Sequence, residues 1–448
     1  MDNTQNLHKD IIKISVPSFL ETLFNTFTGI IDSKMVSALG VSAISAVSVT
    51  NQPKLFIFSI FFALHTVTTS LVAKYYGKDD QVSANQVLDH VLKLVVLLSL
   101  GLGVLSVLLA KPIMMLFSGQ QDTMENSILY FRIIMGGMIF NLLYMTINAA
   151  LRGIGETKLT FADNVLSCAV NILFNYLLIE GHCGFPALGI KGAAIATVLG
   201  QAAALVMCIL FLCRKQIFIS LPFCLRQKYH MTLKGLNEII EKTKSCAVDN
   251  LNMRLALLFI SGITARIGSY QLAVYSVGNY LLNINYAMGT GLQTSGLTLI
   301  GRAWGKGDLE LVTATRKTIT KFGMTCAVIL GIVIAAGGRP FFSFFSQDEE
   351  FIRIGTISAV LIGIITISQT LKFIYNGCLQ GMGMMKQSMF CSIIAFTGVN
   401  LVSVLLTVLV FRMGIWGVWL SSFLSQTVQA AMLYYYVRHP EKHIPAGK

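Results

Sequence analysis

Twelve apolar stretches, each long enough to cross the roughly 30 Å of hydrocarbon in a bilayer, run through this chain of 448 residues. They lie near 11–34, 45–73, 88–110, 128–150, 159–180, 190–212, 245–265, 270–299, 318–337, 352–377, 388–411 and 414–437. Leu, Met, Ala and Gly dominate these runs. That favours helices over barrel strands, whose spans are about ten residues of alternating polarity. Charged residues make up only 12% of the chain, against about 25% in soluble domains, which excludes an ordinary soluble enzyme. The 28 Phe and 14 Tyr supply far more apolar surface than a disordered chain leaves in water. The fold class is an all-α integral membrane protein.

Lys and Arg outnumber Asp and Glu by 34 to 21, a balance that in a soluble protein points to nucleic acid. In a membrane protein the first explanation is orientation, because cytoplasmic loops concentrate Lys and Arg. With the N-terminus inside, the inner loops and ends carry 23 of these cations and the outer side 8, with Lys54, Arg254 and Lys372 left within spans. Both termini are therefore expected in the cytoplasm, and no nucleic-acid partner is expected. The first ten residues are polar, and the run that follows contains Pro17 and Glu21 without a small-residue cleavage site. It reads as the first span rather than a removed signal. Nine cysteines, without CxxC spacing and mostly inside apolar runs, read as small buried hydrophobes.

An internal repeat sets the architecture. A shift of 228 residues aligns LVAKYYGKDD at 71–80 with LIGRAWGKGD at 299–308, Lys111-Pro112 with Arg339-Pro340, LRGIG at 151–155 with LQGMG at 379–383, and Glu21 with Asp249. Near the end of each half the offset drifts to 225, pairing GIKG at 189–192 with GIWG at 414–417. The reading is two six-helix lobes, 1–212 and 237–448, joined by a basic cytoplasmic linker at 213–236. Six is even, so both lobes enter from the same side, a parallel repeat of the kind found in rocking transporters.

Ionisable groups inside spans cost about 2.5–3.5 kcal/mol each on insertion scales, so each is a functional candidate. Glu21 and Asp32 are 11 residues apart in the first span, about three helical turns, and share a face with Asn25 and Thr28. Lipid does not tolerate such a stripe, which must face the interior of its lobe. The fifth span presents Asn164, Ser167, Asn171 and Asn175 on one face. Carboxylate on one helix with carboxamides on another suits a proton or sodium site: a group that releases a proton, and oxygens that act as partner or ligand. The bland reading of the amides is hydrogen-bonding glue between helices. Asp249, the repeat counterpart of Glu21, is a third candidate acid, with Arg254 as its expected neutralising partner. Lys54 and Lys372 would attract anions if they lined a cavity, although such side chains more often pair or snorkel. His65 is expected as a hydrogen-bonded interior residue. Asp163, Glu180 and Asp89 are expected at solvated span ends. The Gly153/Gly155 and Gly381/Gly383 pairs lack the strand and the Gly-Lys-Ser/Thr triplet of a phosphate loop, and read as tight turns. No catalytic motif or nucleotide-binding module is present, so an ion gradient must drive any transport and no enzyme activity or cofactor is expected.

These features together resemble the multidrug and toxic compound extrusion (MATE) family over nearly the whole chain. The resemblance rests on DSKMVSALG at 32–40 followed by LVAKYYG at 71–77, on LRGIGET at 151–157, on the pair Asn171 and Asn175, and on GIKGAAIAT at 189–197. It implies two lobes around a V-shaped central cavity and antiport of organic compounds against sodium or protons. Asp32 falls on the family's first-helix acid, and Asn171, Asn175 and Thr197 fall on its partners, which implies possible sodium ligation at Asp32, Asn171 and Asn175. Asp249 is similar to the seventh-helix acid of other branches, with Gln369 at the position of their tenth-helix acid.

The function expected from all this is a cation-coupled antiporter of the cytoplasmic membrane, exporting cationic or amphiphilic organic compounds by alternating access. A monomer suffices, with small organic substrates and membrane lipid as its partners. The rival within transport is a flippase for lipid-linked oligosaccharides or another anionic amphiphile, which would expose basic residues such as Arg254 or Lys372. A membrane-embedded enzyme would need converging acid, base or metal ligands, and the seven His are scattered.

Overall fold

The structure, a computed structural model, describes residues 2–117, 123–214, 217–227 and 233–440. Among them every regular element is helical. They are α1 (Asp2–Ser37), α2 (Val41–Gly77), α3 (Gln81–Leu108), α4 (Ala110–Phe117), α5 (Met124–Gly136), α6 (Met138–Gly153), α7 (Thr157–Ile179), α8 (Ile190–Leu212), α9 (Leu221–Gln227), α10 (Leu233–Ile267), α11 (Ser269–Lys306), α12 (Leu309–Ala336), α13 (Gly338–Phe345), α14 (Glu349–Gly381), α15 (Met385–Ile393), α16 (Leu401–Val404) and α17 (Ile415–Arg438). Among the described residues eight helices are long and apolar enough to cross a membrane, and α5 with α6, bent by 47°, make a ninth span. The helices α1, α11 and α17, of 36, 38 and 24 residues, are long but more polar and complete the twelve. The eleventh span runs from α15 through two π-helical segments, Ile394–Asn400 and Leu405–Val410. Part of the expected linker, at 215–216 and 228–232, lies outside the described residues.

The repeat is visible in the backbone. Left-handed φ values recur at matched positions: Gly40 (98°) and Gly268 (145°), Asp79 (55°) and Gly307 (74°), Gly155 (69°) and Gly383 (79°), Gly189 (57°) and Gly414 (60°). Helix starts recur as well. Asp80 caps α3 by accepting from the Ser83 N–H at 2.9 Å, and Asp308 caps α12 by accepting from the Leu311 N–H at 2.8 Å. Close helix approach repeats at Gly153 and Gly381. A Cβ at Gly153 would stand 2.9 Å from the Thr69 carbonyl on α2, and one at Gly381 would stand 2.7 Å from the Leu297 carbonyl on α11.

The chain packs as two compact units, one of residues 20–243 and the other of 1–19 with 244–448. The boundaries fall inside α1 and α10 rather than in the linker. In the second unit the start of α1 lies on α11, where Gly291 allows the approach: a Cβ there would meet the Ser15 carbonyl at 2.6 Å. Ile11 and Ile14 join Leu292, Ile374 and Leu433 in that unit's core. In the first unit Gly235 and Ile239 of α10 line a small pocket with Leu71 and Val87. Outward faces are apolar, as on α3, where Leu97, Leu100, Val104 and Leu108 are each more than half exposed, the surface expected to meet lipid.

All nine cysteines are free thiols. Cys183 and Cys213 are exposed, which corrects the expectation of burial for those two. The Asp80 cap carries a pH prediction. Ser83 holds its carboxyl below the ordinary range, through both its hydroxyl and its N–H. A depressed folded value means that the cap stabilises above the unfolded value, near pH 4, and is lost as pH falls through the folded one. Asp80→Ala should therefore lower the stability of the detergent-solubilised protein by about 1 kcal/mol or less at neutral pH. The difference from the native chain should shrink in acid below about pH 4, as read by thermal unfolding.

Candidate functional site

In the unit 20–243, α1 and α7 run side by side and meet through polar rungs. Thr160 donates to Glu21 Oε2 at 3.2 Å, Asn164 Nδ2 donates to Asn25 Oδ1 at 3.1 Å, and Asn175 Nδ2 donates to Asp32 Oδ1 at 2.7 Å. With its amino group turned to Asp32, the Asn171 carboxamide donates to Oδ1 at 2.7 Å and accepts from the Thr197 N–H at 3.3 Å. Asp32, half-buried, is thus held by two carboxamides. Thr197 reaches them because α8 presses against α7 at Gly200, where a Cβ would stand 2.6 Å from the Ser167 carbonyl and 3.1 Å from Asn171 Cβ. Asn175 is 1% exposed, and its Oδ1 is a buried acceptor without a hydrogen-bond partner. An orphaned acceptor beside a carboxylate leaves room for a water or a small cation. α5 adds Tyr130, 8% exposed, whose hydroxyl faces Thr197 within Coulomb range of Asp32. Sequence reasoning missed Tyr130, since a phenol in an apolar run carries no signal of its own. Lys54 on α2 also lies within Coulomb range of Asp32, but no ion pair joins them among the described residues.

Glu21 stands apart from this group. Arg152 Nη2 on α6 pairs with its Oε1 at 2.5 Å, and Thr160 takes the other oxygen. Asp163 departs from expectation altogether. Rather than a solvated end, it is fully buried, accepting from Asn148 Nδ2 at 3.1 Å and from the Cys208 thiol at 2.6 Å. The interface reading holds for exposed Glu180, beside His182, and for Asp89, paired with Lys93 at 2.6 Å. His65 is an interior residue as expected, with Nε2 at 3.1 Å from the Thr146 hydroxyl.

In the other unit the expected neutralisation of Asp249 by Arg254 does not occur. Asp249 faces Lys372 of α14 and the hydroxyls of Ser388 and Ser392, while Arg254 faces Tyr286. Lys372, 7% exposed, lies over the rings of Phe373 and Phe396 at 4.4 and 5.5 Å. Gln369 belongs to a separate amide network in which it accepts from Asn285 at 2.6 Å. The repeat explains the asymmetry. Gln380 stands at the position of Arg152 and accepts from Gln293 at 3.0 Å, so the Glu–Arg pair of the first half has no counterpart here and Asp249 turns to a lysine.

The sequence profile of the MatE family matches twice, over residues 17–177 and 246–406, one match to each half. A probable multidrug resistance protein NorM of Thermotoga maritima is 22% identical over 422 residues, which is 94% of this chain and 89% of that protein. An FAD transporter of Shewanella oneidensis is 23% identical, covering 77% of this chain and 75% of its own. Among solved structures, an outward-facing multidrug resistance MATE family transporter of the MOP superfamily superposes with a TM-score of 0.89 at 18% identity, over 97% of this chain and 96% of that one.

Proposed function

The chain belongs to the MatE family of membrane transporters, and from that premise we propose that it is a cation-coupled antiporter exporting cationic or amphiphilic organic compounds. The observation that carries this reading is Asp32, a carboxylate in an apolar span held by the carboxamides of Asn171 and Asn175, with an orphaned amide oxygen beside it. One carboxylate and neutral amides suit a monovalent charge. A proton on Asp32, or a sodium ion between it and the Asn175 oxygen, cancels the buried negative charge. Among the described residues no group of His, Cys, Asp and Glu could hold a multivalent metal.

Coupling requires the cation to bind two conformations with different affinity. Moving a balance from 1:99 to 99:1 takes about a 10⁴-fold difference, and a carboxylate that is compensated in one state and stripped of its amides in the other is able to supply much of it. The Lys and Arg bias of 23 inside to 8 outside supports a cytoplasmic membrane setting with both termini inside, and a monomer carries both halves of the repeat.

The rival reading, export or flipping of an anionic amphiphile, draws support from the FAD transporter among the relatives. It lacks a free cation at Lys372, which is enclosed by Asp249 and two rings. Reconstituted vesicles loaded with ethidium, with proton and sodium gradients imposed separately, test the proposal. Ethidium movement that follows one gradient names the ion. Movement with neither gradient, together with transport of an anionic amphiphile, would overturn it.

A further inference from the structure

The polar rungs between α1 and α7 continue past Asp32 toward the end of the unit that holds Arg152. Glu21 with Thr160, Asn25 with Asn164, and Asp32 with Asn171 are each 139 residues apart, so the two helices stay in step. From Asp32 to Glu21 the ladder spans about 16 Å at 1.5 Å per residue. At its far end sits the buried Asp163, which the cation-coupled reading does not use.

Every element packed around Asp163 contributes a polar or charged group. α1 brings Glu21, α6 brings Asn148, Arg152 and the Tyr144 hydroxyl, and α8 brings Cys208. In α2, behind Arg152, stands His65, 6% exposed, with an Nδ1 that has no hydrogen-bond partner. Two carboxylates share one guanidinium, so the group carries a net negative charge when both are ionised and none when one proton is bound. A buried net charge is costly, and binding one proton removes it.

The neighbours of Asp163 accommodate both states. When Asp163 is ionised, the Cys208 thiol donates to its Oδ2 at 2.6 Å. When a proton sits on Oδ2, that oxygen donates to sulfur, and the thiol hydrogen turns to Asn148 Oδ1, 3.5 Å away. Asn148 Nδ2 stays on Oδ1 of Asp163 throughout, at 3.1 Å. The step moves one proton: a hydronium ion gives it to Oδ2 and becomes water, and the reverse step returns it. No other bond is made or broken.

We propose that Asp163 is a second proton-carrying residue of the transport cycle, beside the Glu21 end of the α1–α7 ladder that carries Asp32, with Cys208 and Asn148 as its positioning residues. It rests on the proton form of the antiporter reading. In this arrangement a proton released from Asp32 travels as hydronium past the Asn25–Asn164 rung, whose amides exchange no proton, and is held on Asp163 Oδ2 until it leaves as hydronium again. The thiol is the distinguishing part, because it ties the state of the carboxyl to an S–H group that can be observed directly.

The test uses the full chain in lipid vesicles, with infrared difference spectra between mildly acid and mildly alkaline buffer. The expected result is a carboxyl C=O band and a cysteine S–H band that change together, both lost in Asp163→Asn, with only the S–H component lost in Cys208→Ala. Asp32→Asn, the control, should keep both. In the same vesicles Asp163→Asn should slow proton-driven ethidium exchange about tenfold or more, with partial recovery in Asp163→Glu. Failure of Asp163→Asn to fold would leave the band pair to be judged in the native chain and in Cys208→Ala. Absence of an S–H change coupled to a carboxyl change, or native exchange by Asp163→Asn over the whole pH range, would overturn the inference. Native exchange by Asp32→Asn would instead overturn Asp32 as the coupling site, and absence of proton-driven exchange in the native chain would overturn the antiporter reading; either leaves the spectra to decide Asp163 alone.

Discussion

Asp32→Asn should reduce gradient-driven export to the passive leak of the vesicles, a loss of about 100-fold or more, since the residue would no longer differ in charge between states. The substitution is close to isosteric, and an amide oxygen at this position still accepts from Asn171 and Asn175, which now lie 2.7 Å from Oδ1. Folding and ethidium binding should therefore survive within a few-fold, and only the response to the imposed ion gradient should vanish. Asn175→Ala provides a graded companion. It removes one of two charge-assisted hydrogen bonds, each worth about 1.5–3 kcal/mol, and deletes the orphaned oxygen, while Asn171 continues to hold the carboxylate. Its coupled rate should fall by about tenfold, between native and Asp32→Asn. Counterflow of ethidium without any gradient, measured beside gradient-driven export, separates the two effects. If Asp32→Asn kept its gradient response, Asp32 would be a structural seam residue and the coupling site would have to be sought elsewhere.

Asp32, Asn171 and Asn175 were legible because polar side chains at helical spacing stand out in apolar runs, and because the two stripes had to face one another to leave lipid. The repeat was legible because turns impose residue types: Gly155 and Gly383 occupy the same left-handed turn, and Asp80 and Asp308 the same cap. What failed to show was packing across helices. Asp163 lies six residues from the start of α7, so position alone suggested an end, yet α6 and α8 cover it with Asn148 and Cys208. Arg254 lies five residues after Asp249, about 140° around a helix of 3.6 residues per turn, on the wrong face to neutralise it. The partner came from α14 instead. Tyr130 was invisible for a related reason, since its hydroxyl meets Thr197 through the packing of α5 against α8. The assignment of the first turns of α1 to the opposite compact unit also has no linear signature, because the apolar run 11–34 continues unbroken through residue 19.

The second large effect concerns stability and is expected to be asymmetric. Arg152→Ala removes the guanidinium that faces both Glu21 and Asp163 and leaves two buried carboxyls without their counter-charge. Breaking a buried pair in this way costs about 3–5 kcal/mol. Glu21→Gln removes only one claim on Arg152, which keeps Asp163 as a neighbour and can still donate to the amide oxygen, so its cost should be about 1–2 kcal/mol. The other half of the repeat indicates the repair. At the position of Arg152 it carries Gln380, bonded to Gln293 at 3.0 Å, and the same close approach of helices is preserved at Gly381 as at Gly153. The double variant Glu21→Gln with Arg152→Gln should therefore recover part of the stability lost in Arg152→Ala, because the Glu21 charge and a cavity of full arginine size are gone and only Asp163 is left without its counter-charge. Thermal unfolding of the four proteins in one detergent measures all three differences. Acidification should narrow the gap for Arg152→Ala and, through Asp163 alone, less for the double variant, since a protonated carboxyl no longer needs the missing cation. Equal losses in Glu21→Gln and Arg152→Ala would mean that Arg152 serves Glu21 only and that Asp163 is neutral without it.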